Sequence, residues 1–198
     1  MISDKKLIIM TAVLLSWSAY VSWNNRWVHY DESVIKNTAP LQQAVERAAF
    51  THKGFTITPV ASFNVEARIL SKARYFWGKE SRLSPIDYAL GWGPMAHDQV
   101  LKGLKISQSN RWYHYRYKEP PIAESEITSH SSNMHLIPAN DEVLKMIKKA
   151  RPGQLVRLRG YLVNVTAENG WHWSSSLSRT DSGGHSCELF WVEDIVLL

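Results

Sequence analysis

From Phe55 to Trp77 the apolar residues fall on odd positions. Phe55, Ile57, Ala61, Phe63, Val65, Ala67, Ile69, Ala73, Tyr75 and Trp77 alternate with Thr56, Thr58, Ser62, Asn64, Glu66, Arg68, Lys72 and Arg74. Successive side chains of a strand point to opposite faces, so a period of two predicts strand with one buried face and one wet face. The run exceeds an ordinary strand, and Pro59 lacks the N–H a ladder needs. Two strands, or one long bent strand, are expected, with Trp77 on the buried side.

The carboxyl third carries the same signature. Residues 154–165 read as strand, and Gly160 predicts a bulge where the apolar phase changes from even to odd positions. Glu168-Asn169-Gly170 is a hairpin turn leading into Trp171-His172-Trp173, and residues 187–196 form a last strand. Helical signals are shorter. Thr38 and Pro40 precede Leu41, Ala44, Val45, Ala48 and Ala49 at helical spacing, which predicts an amphipathic helix ending near Gly54. Ser84-Pro85 predicts a short helix over 86–90, a further one holds Val100, Leu101 and Leu104, and Asn140 caps a helix over 141–150. The fold class is α+β: one mainly antiparallel β domain, able to curl into a small barrel, with a few short helices.

Residues 7–23 contain no charged side chain and come directly after Lys5 and Lys6. As a helix they span about 25 Å, the short end of what crosses a hydrocarbon core. The lysine pair predicts a cytoplasmic amino terminus, and Trp17, Tyr20, Trp23 and Trp27 suit the interface on the exit side. The stretch has no A-x-A cleavage pattern, so an uncleaved signal anchor is expected. The organisation is then a cytoplasmic tail (1–6), a transmembrane anchor (7–23), a juxtamembrane linker with the amphipathic helix (24–53) and an extracytoplasmic domain (54–198). This places the chain in the inner membrane, in contact with lipid through residues 7–23, and its domain in the periplasm.

Composition narrows the chemistry. A single cysteine excludes an internal disulfide framework and an all-thiolate zinc site. Twenty-three Lys+Arg against 18 Asp+Glu give a charge of +5, which suits an anionic envelope component or a protein partner; outside the membrane no nucleic acid is expected. Nine tryptophans are the unusual number. Those at 17, 23 and 27 are explained by an interface, and those at 77 and 191 by strand cores. That leaves Trp92, Trp112, Trp171 and Trp173 for binding.

Arg111 to Lys118 is the most distinctive stretch. As a strand it puts Tyr113, Tyr115 and Tyr117 on one face and Trp112, His114, Arg116 and Lys118 on the other, a cationic face with an adjoining ring. The tyrosines suit a core edge and the cations a contact surface. Trp92 lies between Gly91 and Gly93, where backbone can approach a ligand closely. Trp171 and Trp173 share a strand face and can form a sugar- or peptide-binding platform.

The leading expectation is a membrane-anchored binding or assembly protein. Two alternatives stand beside it: an accessory subunit of a larger membrane complex, and a hydrolase or metal-dependent enzyme. The latter would use His130, His135, Asp181 and Cys187 in catalysis, or His130, His135, His185 and Cys187 as metal ligands. No H-E-x-x-H, C-x-x-C or G-x-S-x-G motif is present, and no cofactor is expected.

Overall fold

The computed structural model describes residues 4–24, 26–178 and 187–198. In chain order its elements are α1 (Asp4–Asn24), β1 (Leu41–Ala44), β2 (Phe50–His52), β3 (Phe55–Arg74), α2 (Lys79–Leu83), β4 (Ile86–Gly91), α3 (Asp98–Leu101), β5 (Lys105–Ser109), β6 (Trp112–Arg116), α4 (Glu124–Ser129), β7 (Ser131–Pro138), α5 (Asp141–Lys149), β8 (Leu155–Thr166), β9 (His172–Ser174) and β10 (Glu188–Leu197). The alternating run is one strand, β3, and the rest is built around it. One edge of β3 pairs antiparallel with β8 from Thr56 to Arg68. Its other edge takes β2, β1 and β4 in turn. β4 pairs with β7, β7 runs parallel to β10, and β10 pairs antiparallel with β8. The ring β3-β4-β7-β10-β8 is therefore closed, a five-stranded barrel whose one parallel pair among the described residues is β7–β10.

Bulges decide which face each residue takes. The β3–β8 register slips between Pro59 and Ala61. Phe55 and Ile57 consequently turn outward, to Val163, Val165, Leu189 and Trp191. Ala61, Phe63, Val65, Ala67 and Ile69 turn inward, where Tyr88, Leu136, Leu158 and Phe190 fill the barrel. A single odd-position pattern thus feeds two cores. The second bulge falls opposite Gly160 rather than at it: β10 slips between Val192 and Asp194. A Cβ on Gly160 would stand 1.9 Å from the Trp191 carbonyl oxygen, so the glycine makes room for the bulged partner.

Helix α5 closes one end of the barrel with Val143, Ile147 and Ala150. The Asn140 side chain caps it, accepting from Val143 N at 2.9 Å. At its other end Lys72 donates to the carbonyls of Ala150 and Lys148, and Arg74 donates to Lys148 O at 3.2 Å. These cations on β3 satisfy carbonyls the helix cannot pair itself.

Three elements differ from expectation. Residues 41–44 and 50–52 are strands, not an amphipathic helix: they pair antiparallel with the edge of β3 at Ala61–Asn64 and Phe55–Ile57. Lys53 and Gly54, with φ of 52° and 80°, form the tight turn that returns β2 onto β3. Residues 86–90 are strand β4, buried along its whole length, since both faces are covered and no wet face exists to support a surface helix. Residues 26–37 are not a free linker. Val28 N donates to Pro152 O at 3.2 Å, and Ile35 packs with Ala96 and Leu155.

Arg68, on the wet side of the sequence pattern, clamps this strap and is fully buried. It donates to Gly153 O (2.9 Å), Ala96 O (2.9 Å) and Val28 O (2.8 Å), meets Asp98 at 3.0 Å and lies 5.2 Å from the Trp27 ring.

Helix α1 covers the expected anchor, and its described apolar side chains are open: Ile8 is 67% exposed and Leu15 66%. Among the described residues no helix is long and apolar enough to cross a membrane. Asp4, Lys5 and Lys6 fill its first turn, and Thr11, Ser16, Ser18 and Ser22 dilute the apolar turns beyond it. The expected spanning helix therefore gains no support from the fold.

Candidate functional site

Asp87 is an acid in a buried strand. Ile86, Tyr88 and Leu90 of β4 point into the barrel. Asp87 points the other way, and its side chain is 0% exposed. An unpaired carboxylate there would be prohibitively costly, so its partners define the site. Arg111 Nη1 lies 3.0 Å from Oδ1, and Ser84 Oγ donates to the same oxygen at 3.2 Å. His135 Nδ1, from β7, lies 2.8 Å from Oδ2. Neither His135 Nδ1 nor Asp87 Oδ2 makes a hydrogen bond, so the two atoms are close without a directed bond between them.

The hairpin β5–β6 delivers the arginine. Its two-residue turn is Asn110-Arg111, with φ of 50° and 64°, and it brings Arg111 onto the barrel wall. There Arg111 N donates to Tyr75 OH at 3.1 Å and Nη2 to Ser84 O at 3.0 Å. The guanidinium stands 4.2 Å from the Tyr75 ring and 5.4 Å from the Trp173 ring. Burial, with the Asp87 charge beside it, raises the Tyr75 phenol pKa above its ordinary value. Asn133 ties the turn to β7, its Nδ2 donating to Arg111 O at 2.9 Å, and Gln108 donates to Asn133 Oδ1 at 2.6 Å.

Over this cluster opens a cavity of about 480 Å³, lined by Glu80, Arg111, Trp112, His135, Trp171, His172, Trp173, Ser174 and Cys187. The Ala167–Gly170 turn sets the two indoles: Ala167 N donates to Trp171 O at 2.9 Å and Gly170 N to Ala167 O at 3.0 Å. The Trp171 and Trp173 rings meet edge to face at 6.1 Å, and Trp173 packs on His135 at 4.8 Å. Lys79 Nζ sits 5.3 Å from the Trp171 ring centre. Formal charges near the cavity balance, Arg111 and Lys79 against Asp87 and Glu80, so its character comes from the rings and from the imidazole and thiol edges.

The sequence-selected residues separate clearly. Trp112, Trp171 and Trp173 converge on the cavity. His114, Arg116 and Lys118 occupy the exposed face of β6 and its extension, as expected, while Tyr113, Tyr115 and Tyr117 pack against the barrel. Trp92 is not a surface residue: at 2% exposure it lies in the barrel core. Trp77 is the reverse, 90% exposed beside Phe76 at 76%, because β3 ends at Arg74 and the loop carries both rings outward.

Of the proposed catalytic and metal residues, His135 and Cys187 share the cavity. His130 does not join them; it sits over Gly93 with Nδ1 3.3 Å from Glu126. Asp181 and His185 lie outside the described residues. Among the described residues no three metal-ligating side chains group together. Sequence reasoning missed Asp87, Ser84, Tyr75 and Glu80. The usable signal was Asp87 itself, a lone acid within the apolar run Ile86–Leu90, where a buried carboxylate demands partners. No family model, curated protein or solved structure matches the chain, so the reading of this site rests on its geometry.

Proposed function

We propose that the chain is a membrane-tethered recognition protein of the cell envelope, and that its ligand site is the cavity between Trp112, Trp171 and Trp173. The observation that carries this is the convergence of three indoles, an imidazole and a thiol on one cavity above the Arg111–Asp87–His135 cluster. Buried charge of this kind holds a cavity wall in one arrangement, and indoles supply large, rigid contact area. Architecture points the same way by analogy. Five-stranded Greek-key barrels of the OB type bind ligands through the loops after their first and fourth strands. Here those loops carry Glu80 and Trp171–Ser174. The open apolar surface of α1 favours a bilayer as its surroundings, with the domain outside and lipid as its first partner.

The test is co-purification from native membranes in mild detergent. The paired substitution Trp171→Ala/Trp173→Ala is expected to lose the ligand or partner, whereas Arg116→Ala/Lys118→Ala retains it. Equal recovery with both would sink the cavity assignment; loss only with the second pair would move the site to the face of β6. A second reading, an accessory subunit of a larger complex, is favoured by Phe76 and Trp77, which stand in open solvent on the loop that also carries Glu80.

A further inference from the structure

We infer that one face of the barrel rests on an anionic bilayer, with Phe76 and Trp77 set into its interface and a basic edge running from them to the exit of α1. The inference rests on the tethering reading, because it uses the bilayer proposed for α1. Retention stays with α1; this face fixes how the barrel stands on the membrane.

Two adjacent rings in open solvent need a physical reason. Among the described residues Phe76 and Trp77 are the most exposed of the large apolar side chains, and they follow directly on the end of β3. In water they forgo the gain that burial of aromatic surface brings, whereas the headgroup level of a bilayer favours an indole, apolar in body and polar at its N–H.

Charge selects the kind of surface. Residues 67–79 and 143–153 contain no Asp or Glu, and the fold joins these two stretches. Arg74 donates to Lys148 O at 3.2 Å and Lys72 to the same carbonyl at 3.1 Å, which holds the end of α5 against the end of β3. Further along, Gly153 N donates to Ile69 O at 2.7 Å, and Pro152 O accepts from Val28 N of the strap at 3.2 Å. The edge so formed runs from exposed Arg74 beside the rings, through exposed Lys145, Lys148 and Lys149 on α5, to Arg151 and the strap. Exposed Arg26, two residues beyond α1, continues it. Anionic headgroups attract such an edge, over a range of about one Debye length. From Arg68, which clamps the strap, to Arg74 the strand covers about 20 Å. The rings and the exit of α1 are thus separate points of attachment. A helix exit alone leaves the barrel free to tilt, and a second contact removes that freedom. The ligand class is an anionic phospholipid in a bilayer, its headgroups on the cations and its upper acyl region against the two rings.

The test uses the full chain reconstituted into vesicles of phosphatidylcholine alone, or with about 30% phosphatidylglycerol, and hydroxyl-radical footprinting by X-ray radiolysis. Trp77 is expected to be oxidised at least about threefold more slowly in the anionic vesicles, while Leu41, 70% exposed on β1, reacts alike in both. Raising NaCl to about 0.5 M should return Trp77 to its rate in phosphatidylcholine. Lys148→Glu/Lys149→Glu should do the same, and both side chains are exposed, so the fold is kept. Equal oxidation of Trp77 in the two kinds of vesicle overturns the proposal. Protection that persists undiminished in Lys148→Glu/Lys149→Glu overturns it too, as does protection already present in detergent and growing with protein concentration, which would assign the rings to a second copy of the chain. Carbonate washing reads the tethering separately. A chain stripped by carbonate loses α1 as its anchor, and Trp77 on chains floated with unwashed vesicles still decides whether this face meets anionic lipid.

Discussion

Arg68 and Asp87 are both fully buried, and each organises its surroundings through partners distant in sequence. Three carbonyls and Asp98 depend on Arg68. Arg68→Met should therefore destabilise the domain by about 3–5 kcal/mol in chemical denaturation, the cost of leaving buried polar groups unpaired. Gly160→Ala tests the opposite kind of tightness. Its methyl would meet backbone, the Trp191 carbonyl, which no rotamer can relieve; a loss of at least about 1–3 kcal/mol is expected. Lys72 gives a pH signature. Burial first, then the Arg74 charge, lowers its pKa to about 8. The unfolded chain holds this proton up to the ordinary lysine value near about 10.4, so between those limits the unfolded state binds more protons and the Lys72 contribution to stability rises with pH. Lys72→Met should flatten that rise in denaturation midpoints measured from about pH 7.5 to 10. Some of this scale was legible in sequence: Asn140 as a cap, and the tyrosines of 113–117 as a packed face. Arg68 was not, because its alternating position promised solvent and only the docked strap at Val28 encloses it.

Among elements, long patterns proved readable and short ones ambiguous. The alternation over 55–74 is a strand, the 141–149 helix carries its cap, and the hairpin turn at 168–170 is present. Residues 86–90 form a strand where a short helix is expected, because so short and mostly apolar a run does not reveal whether one face or both are covered; Leu41–Ala44, with two glutamines, join the sheet through the free edge of β3. The β3 bulge is likewise silent in sequence: odd positions stay apolar while their face reverses. The β5–β6 hairpin illustrates how an element depends on the site. Arg111 adds its own tie to the barrel beside the tyrosine packing and the Gln108–Asn133 bond, so Arg111→Ala should loosen hairpin and cavity together. Amide exchange over residues 105–116 should quicken at least about tenfold, equivalent to about 1.4 kcal/mol of lost local protection, with little change in β8 and β10. Unchanged exchange would mean the tyrosine packing alone holds the hairpin.

The whole molecule is a closed barrel with its indole-lined cavity beside Asp87 and the strap from α1 clamped at Arg68, near the other end of β4. Since no described side chain of α1 enters the core clusters, removing residues 1–25 should leave the melting temperature of the domain within a few degrees and, on the proposed tethering, shift the protein from the membrane fraction to the soluble one. A chain that stayed with membranes after this truncation would assign membrane attachment to another surface. The α+β class and the barrel were within reach of sequence patterning; the cavity was not, because it assembles residues from α2, β6, β7 and β9, from the β5–β6 turn and from the connections at Trp171 and Cys187. The claim that this cavity is occupied in the living cell is tested most directly by hydroxyl-radical footprinting of intact cells against the purified protein. The account predicts that Trp112, Trp171 and Trp173 are oxidised several-fold more slowly in cells, while the exposed side chains of Leu41 and Leu177 react alike in both. Equal oxidation of the three indoles in the two settings would contradict it.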